Sequence, residues 1–92
     1  MPTQRQRLRI KREMSEEKPS IWIGKNGITD EFTEEVSNQL ERTQTVKIRM
    51  QKTALKTGSA TDLAREIADK TGSSIIDIRG HSLTLYREKR TS

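Results

Sequence analysis

Apolar residues recur at helical spacing in several segments of the chain, and one segment shows the pattern most clearly. It begins after Thr29, a residue type that commonly caps helices, and continues with an apolar stripe at Phe32, Val36 and Leu40. The two acidic residues that follow the cap suit the first turn of a helix. The pattern therefore predicts a helix that runs to about Arg42.

Two further segments have helical patterns of unequal strength. The segment 59–62 (SATD) matches a capping box, and a narrow apolar face follows it until Gly72, which is a typical helix terminator. The members of that face are Ala60, Leu63, Ala64, Ile67 and Ala68. The N-terminal segment 4–14 contains good helix formers but few apolar residues, so we expect a short helix that ends before Pro19.

Short segments with β-branched residues alternate between apolar and polar positions, as strands with one buried face do. They cover residues 21–23, 46–50, 75–79 and 83–87. In the second of them Lys47 and Arg49 point away from the face that carries the apolar side chains. The sequence GHS at 80–82 is a hairpin connection between the last two strands.

The order of these elements is a short N-terminal helix followed by β-α-β-α-β-β. A crossover helix returns the chain to start a parallel strand, so the first three strands should run in one direction and the hairpin should reverse the fourth. We therefore predict an α/β fold, a two-layer sandwich with a four-stranded mixed sheet. Residues 1–92 should form one domain, with a basic helical segment at 1–17, a core at 18–87 and a tail at 88–92.

Charge is distributed unevenly along the 92 residues, whose formal net charge is +5. Basic residues outnumber acidic ones in both terminal segments, whereas the predicted helix at 30–41 has carboxylates and no Lys or Arg. This segregation favours a polyanion as the partner. The chain has no Cys and one His, which argues against disulfides and metal sites, and no apolar run long enough for a membrane span or a secretory signal. We expect a cytoplasmic protein without a cofactor.

The sequence IWIGKNGIT places two glycines, a lysine and an asparagine between a strand and a helix. Ligands gather at the carboxyl ends of parallel strands, and glycines at both ends of this loop would permit positive φ and a close approach to the main chain. The loop matches neither the phosphate-binding loop of nucleotide-binding proteins nor G-x-G-x-x-G. Two interpretations of the loop stay open. It could be a G-x-x-G loop that binds a nucleic-acid backbone, or it could be an ordinary turn. His81 has no nucleophile or carboxylate motif beside it, so catalysis is not expected.

Several segments, in this order and spacing, resemble the CRM domain, the chloroplast RNA splicing and ribosome maturation module, and especially its stand-alone YhbY-like form. They are KPSIWIGKNGIT, VKIRM and LAREIADKTGSSIIDIRGHSLTLYR, within residues 18–87. The resemblance implies a fold similar to the C-terminal domain of bacterial translation initiation factor three. It also implies binding of structured RNA, with the glycine loop in contact with it, and an association with precursors of the large ribosomal subunit.

The charge and the glycine loop, read with the resemblance, predict a monomeric, non-enzymatic RNA-binding protein, and the resemblance implies that its target is ribosomal RNA or a ribosome precursor. The expected contact residues are Gly24, Lys25, Asn26, Gly27, Lys47, Arg49, Lys52, Arg79, Arg5, Arg9 and Arg12. For Lys47 and Arg49 an ordinary solvated position is an equal alternative, and Trp22 is better explained by packing under the N-terminal helix than by stacking on bases. There are two alternatives: a DNA-coating nucleoid-type protein, and a protein-binding adaptor that uses the acidic face at 30–41.

Overall fold

The computed structural model describes residues 2–56 and 58–88, and its elements follow the predicted order. Part of the predicted tail lies outside these residues. The helices are α1 (Gln4–Met14), α2 (Asp30–Thr43) and α3 (Ala60–Thr71), and a short 3-10 helix covers Ala54–Lys56. The strands are β1 (Ile21–Ile23), β2 (Thr45–Met50), β3 (Ser74–Arg79) and β4 (Ser82–Tyr86). No helix in the described part of the chain is long and apolar enough to cross a membrane.

Local capping sets the ends of the helices. The Thr29 hydroxyl accepts a hydrogen bond from the Phe32 amide at the start of α2, and Ser59 forms a capping box with Asp62 at the start of α3. Gly72 ends α3 in the left-handed conformation, as its sequence position predicts. These caps explain why the predicted starts of α2 and α3 agree with the structure.

The four strands form one mixed sheet in the order β1-β2-β4-β3. β1 pairs with β2 in parallel, and β4 pairs antiparallel with both β2 and β3. The first three strands therefore run in the same direction, as predicted. The sequence pattern did not predict that the last strand lies between β2 and β3. An irregularity between Ile75 and Asp77 shifts the register of β3 against β4.

The hydrophobic core lies between one face of the sheet and the helices α2 and α3. Val36 and Leu40 of α2 and Ile67 of α3 are fully buried there, together with Ile48 and Leu85 of the sheet. The predicted inward face of β2 is confirmed, because Val46, Ile48 and Met50 are each 0% exposed. Sheet, α2 and α3 form the two layers of the predicted sandwich.

Helix α1 lies on the opposite face of the sheet. Its C-terminal carbonyl at Met14 accepts a hydrogen bond of 3.0 Å from the Lys47 ammonium, which projects from the face without the core. Its Lys11 ammonium lies 3.8 Å from the Asp77 carboxylate on the same face. Ile10 is buried beneath α1 but does not belong to the main core cluster. The helix thus covers part of the second face and leaves the remainder open.

Candidate nucleic-acid interface

A row of four side chains crosses the open part of the second sheet face. Trp22 of β1 pairs with Arg49 of β2, Arg49 pairs with Ser82 of β4, and Ser82 pairs with Arg79 of β3. Paired residues in a sheet project from the same face, and their neighbours along β1 and β2 are core residues. The four residues therefore form one continuous strip, which we call the open row.

The glycine loop and the loop after β2 adjoin one end of the open row. The Gln51 amide donates to the Ile23 carbonyl at 3.0 Å, and the Met50 amide donates to the His81 carbonyl at 2.7 Å. These two bonds hold the segments that follow β1, β2 and β3 side by side. The exposed Lys52 side chain is at the same edge. The loops therefore converge at the carboxyl ends of the parallel strands, as we expected.

The two glycines of the loop have different structural roles. The Gly27 amide donates to the Gly24 carbonyl at 3.0 Å and closes a tight turn, and Gly27 has φ of 69°. Gly24 does not have positive φ, so the conformational freedom that two glycines would permit is used at Gly27 and not at Gly24. A Cβ atom at Gly24 would lie 3.0 Å from Oε1 of Gln51, so a larger residue there would displace the end of that exposed side chain.

The tip of the loop is free to contact a ligand. Lys25 and Asn26 are exposed, and neither side chain has a hydrogen-bond or ion-pair partner within residues 2–56 and 58–88. The loop borders a depression of about 260 Å³ whose lining also includes Trp22, Glu31 and Glu35. The Gly27 amide is used within the turn, so a phosphate at the loop would meet Lys25 and Asn26 and would be repelled by Glu31 and Glu35 of the same lining.

Lys47 is engaged within the protein. Its ammonium donates to the main-chain carbonyls of Met14 at 3.0 Å and Ser15 at 3.4 Å, at the C-terminus of α1. A cation at this end of a helix satisfies unpaired carbonyls and complements the helix dipole. The side chain is half-buried, and this placement favours a role in holding α1 against the sheet over contact with RNA.

Replacing Lys47 with Met should loosen α1 without unfolding the core. The loss of a charge-assisted cap is expected to lower the free energy of unfolding by about 1–2 kcal/mol. Amide hydrogen exchange should speed up in α1 more than in α2 or α3. The matched control is Lys52→Met, which removes an exposed lysine and should change neither quantity. Unaltered exchange in α1 of the Lys47→Met variant would show that the cap does not hold the helix.

The other predicted cations are placed differently from one another. Arg49 is exposed in the open row without a partner in the described residues, and Arg79 is exposed with its Nε 3.8 Å from the Asp77 carboxylate. The three arginines of the predicted N-terminal stripe are exposed on α1, which covers the neighbouring part of the same face. They are Arg5, Arg9 and Arg12. The structure therefore brings Arg49, Arg79 and Lys52 to one edge of the sheet, and the α1 arginines extend the positive surface beside it.

Two residues differ from their sequence-based interpretation. Trp22 is 56% exposed, so the interpretation that it packs under the N-terminal helix is wrong. The basic C-terminal segment, residues 79–92, includes Arg87, whose side chain is bonded within the protein. Its guanidinium donates to the Thr71 carbonyl at 2.7 Å and to the Ser37 carbonyl at 2.8 Å, and so connects α3 with α2. Lys89 and Arg90 of the same basic segment lie outside the described residues.

A family model for the CRS1/YhbY (CRM) domain matches residues 3–87. The chain belongs to the CRM domain family. This CRM domain therefore has its glycine loop, open row and basic edge within the matched segment, together with the whole of α1 and all four strands. No curated protein matches the chain.

A solved structure with the same fold supports the architecture of this CRM domain. It is the solution structure of SAV1595 from Staphylococcus aureus, a hypothetical protein described as a candidate RNA-binding protein. The two chains are 22% identical and superpose with a TM-score of 0.80 over 99% of this chain and 93% of the other. The predicted α/β fold, with three helices and a four-stranded mixed sheet, is thereby confirmed.

Proposed function

We propose that this CRM domain is a non-enzymatic RNA-binding protein whose interface is the sheet edge formed by the glycine loop, the open row and the loop after β2. One observation carries the proposal. The cations Lys25, Arg49, Lys52 and Arg79 all lie at one edge of the sheet and are all exposed. Such a cluster attracts a phosphate backbone by direct contact and by release of its counterions.

The layout of the acidic residues supports the same orientation. Helix α2 carries the acidic segment and packs on the core face of the sheet, so its carboxylates lie on that side, apart from Glu31 and Glu35, which border the depression beside Trp22. Like charges repel a polyanion that approaches from that side. An RNA strand would therefore meet the molecule through the second sheet face and the loop tip. A DNA-coating role is less favoured, because membership of the CRM family points to RNA as the partner.

We further propose that the bound RNA is ribosomal, in a precursor of the large subunit, and that the protein acts on it in the cytoplasm as a monomer. The support is the resemblance of the chain to the stand-alone YhbY-like form of the domain. The glycine loop would contact the ribose-phosphate backbone through Lys25 and Asn26, because these two residues are free at the loop tip.

Crosslinking in cells, followed by sequencing of the attached RNA, tests both the ribosomal target and the contact through the glycine loop. We expect reads to concentrate in large-subunit ribosomal RNA, and we expect Lys25→Ala or Gly27→Val to reduce the yield about fivefold or more. The first variant removes a cation, and the second strains a backbone position with φ of 69°. Lys70→Ala, at an exposed position of α3, is the control with the same charge change as Lys25→Ala and should retain the wild-type yield.

The outcomes separate the alternatives. Reads spread evenly over other RNA classes would refute the ribosomal assignment but retain RNA binding. Equal yields for wild type and the two loop variants would remove the loop from the interface. Recovery of the protein with ribosomal particles after RNase treatment, without crosslinked RNA, would instead indicate an adaptor that binds protein through the acidic face of α2.

A further inference from the structure

We infer that the open row binds an unpaired segment of RNA and that Trp22 stacks on one of its bases. This inference rests on the proposed RNA-binding function and narrows it to single-stranded RNA on the sheet face. The first observation is the exposure of the indole. At 56% exposed, Trp22 is one of two large hydrophobic residues on the surface of the described chain, and the other, Leu8, is on α1.

The surroundings of Trp22 suit a base rather than a protein partner. Its cross-strand neighbour is Arg49, and Arg79 ends the same row two strands further on. Neighbouring strands are about 4.8 Å apart, so the indole and the Arg79 backbone are separated by roughly 14 Å. The row therefore combines an aromatic surface with cations at the second and fourth of its four positions, and single-stranded nucleic acids bind to surfaces that combine stacking with positive charge.

The carboxylates beside Trp22 determine which part of a nucleotide can lie there. Glu31 and Glu35 border the depression that Trp22 shares with the glycine loop. They repel phosphate, whereas a base carries no charge and its amino groups can donate hydrogen bonds to carboxylates. A strand would therefore place a base at Trp22 and its phosphates toward Arg49 and the rest of the row.

Helix α1 limits the ligand to a narrow strand. It covers the next part of the same face, where Lys47, Thr84 and Asp77 are paired across the sheet. Thr84 is only 5% exposed as a result. The bases of a duplex are stacked on one another and cannot lie flat on a side chain, whereas unpaired bases can. Single-stranded RNA is thus the ligand that the open row accommodates.

Trp22 is the only tryptophan in the sequence, so its intrinsic fluorescence reports this site directly. The full chain is titrated with an eight-nucleotide single-stranded RNA and with a duplex of the same sequence, and fluorescence anisotropy of labelled RNA gives the affinities. We expect the single strand to quench the tryptophan emission until the signal saturates. The midpoint of this quenching should fall at the same RNA concentration as the midpoint of the anisotropy titration. Trp22→Ala should weaken single-strand binding by about 5- to 150-fold and duplex binding much less.

Leu8→Ala is the matched control, because Leu8 is also 56% exposed but lies outside the open row. It should leave single-strand affinity and quenching unchanged, and Trp22→Phe should retain part of the affinity. If the wild type binds single-stranded RNA without a change in emission and Trp22→Ala binds as tightly, the stacking inference is overturned and RNA binding stands. If neither RNA form binds, the proposed function and the inference both fail.

Discussion

Reversing the charges of Arg49 and Arg79 together is expected to lower RNA affinity by about a hundredfold or more while the fold is retained. Both side chains are exposed on the open row, so the substitutions Arg49→Glu and Arg79→Glu create no buried charge. Each arginine that contacts a phosphate contributes about 1.5–3 kcal/mol, and each glutamate adds repulsion. Binding titrations at several salt concentrations should show the log-log salt slope reduced by about 1.4–1.8.

The control for this double variant must change the net charge equally. Arg42→Glu with Arg65→Glu does so on α2 and α3, where both arginines are exposed and belong to the elements that pack on the core face. We expect that control to lose only a small part of the affinity, through weaker long-range attraction. A comparable loss in both double variants would show that overall charge, and not the open row, governs binding.

Replacing Arg87 with Met should be the most destabilising surface-accessible change, at about 2–4 kcal/mol. The half-buried guanidinium donates to the Ser37 hydroxyl at 3.0 Å, to the Ser37 carbonyl at 2.8 Å and to the Thr71 carbonyl at 2.7 Å. Met preserves much of the stem but makes none of these hydrogen bonds, so the variant loses the side chain that connects α2 with α3. Thermal unfolding should show a fall in Tm of about 4–8 °C for each kcal/mol lost.

Two further variants identify the cause of that loss. Arg87→Lys keeps the charge but cannot reproduce the fork of three hydrogen bonds, so it should recover only part of the stability. Arg65→Met removes an exposed arginine of α3 and should change stability by less than about 0.5 kcal/mol. Full recovery by lysine would mean that charge alone matters, and a stable Arg87→Met variant would refute the tie between α2 and α3.

The features that the sequence predicted correctly are those that depend on neighbouring residues. Caps at Thr29 and Ser59, the C-terminal Gly72 and the alternation in β2 all act within one element, and all agree with the structure. The relative directions of the strands were also predicted correctly, because crossover helices and hairpins determine them. The edge at which the loops converge was predicted from the same rule.

The features that the sequence pattern missed depend on contacts between distant parts of the chain. Alternation places Lys47 on the second face of the sheet, but it does not reveal that α1 ends above it, 33 positions earlier in the sequence. Arg87 reads as part of a basic segment until its contacts with Ser37, 50 positions away, are known. The packing of Trp22 under the N-terminal helix was predicted wrongly for the same reason. How much of the sheet α1 covers depends on tertiary contacts, and it leaves Trp22 exposed.

The position of β4 has a consequence for how the molecule reaches its native state. β4 is the last of these four strands to be synthesised, yet it pairs with both of its neighbours in the sheet. Its Leu83 is the partner of Ile48 in β2 and of Ile78 in β3. A growing chain that stops before residue 82 has β2 and β3 without the strand that joins them. Assembly of the sheet must therefore wait until β4 has been synthesised, and the non-local pairings should make folding slower than in a helical bundle of equal length.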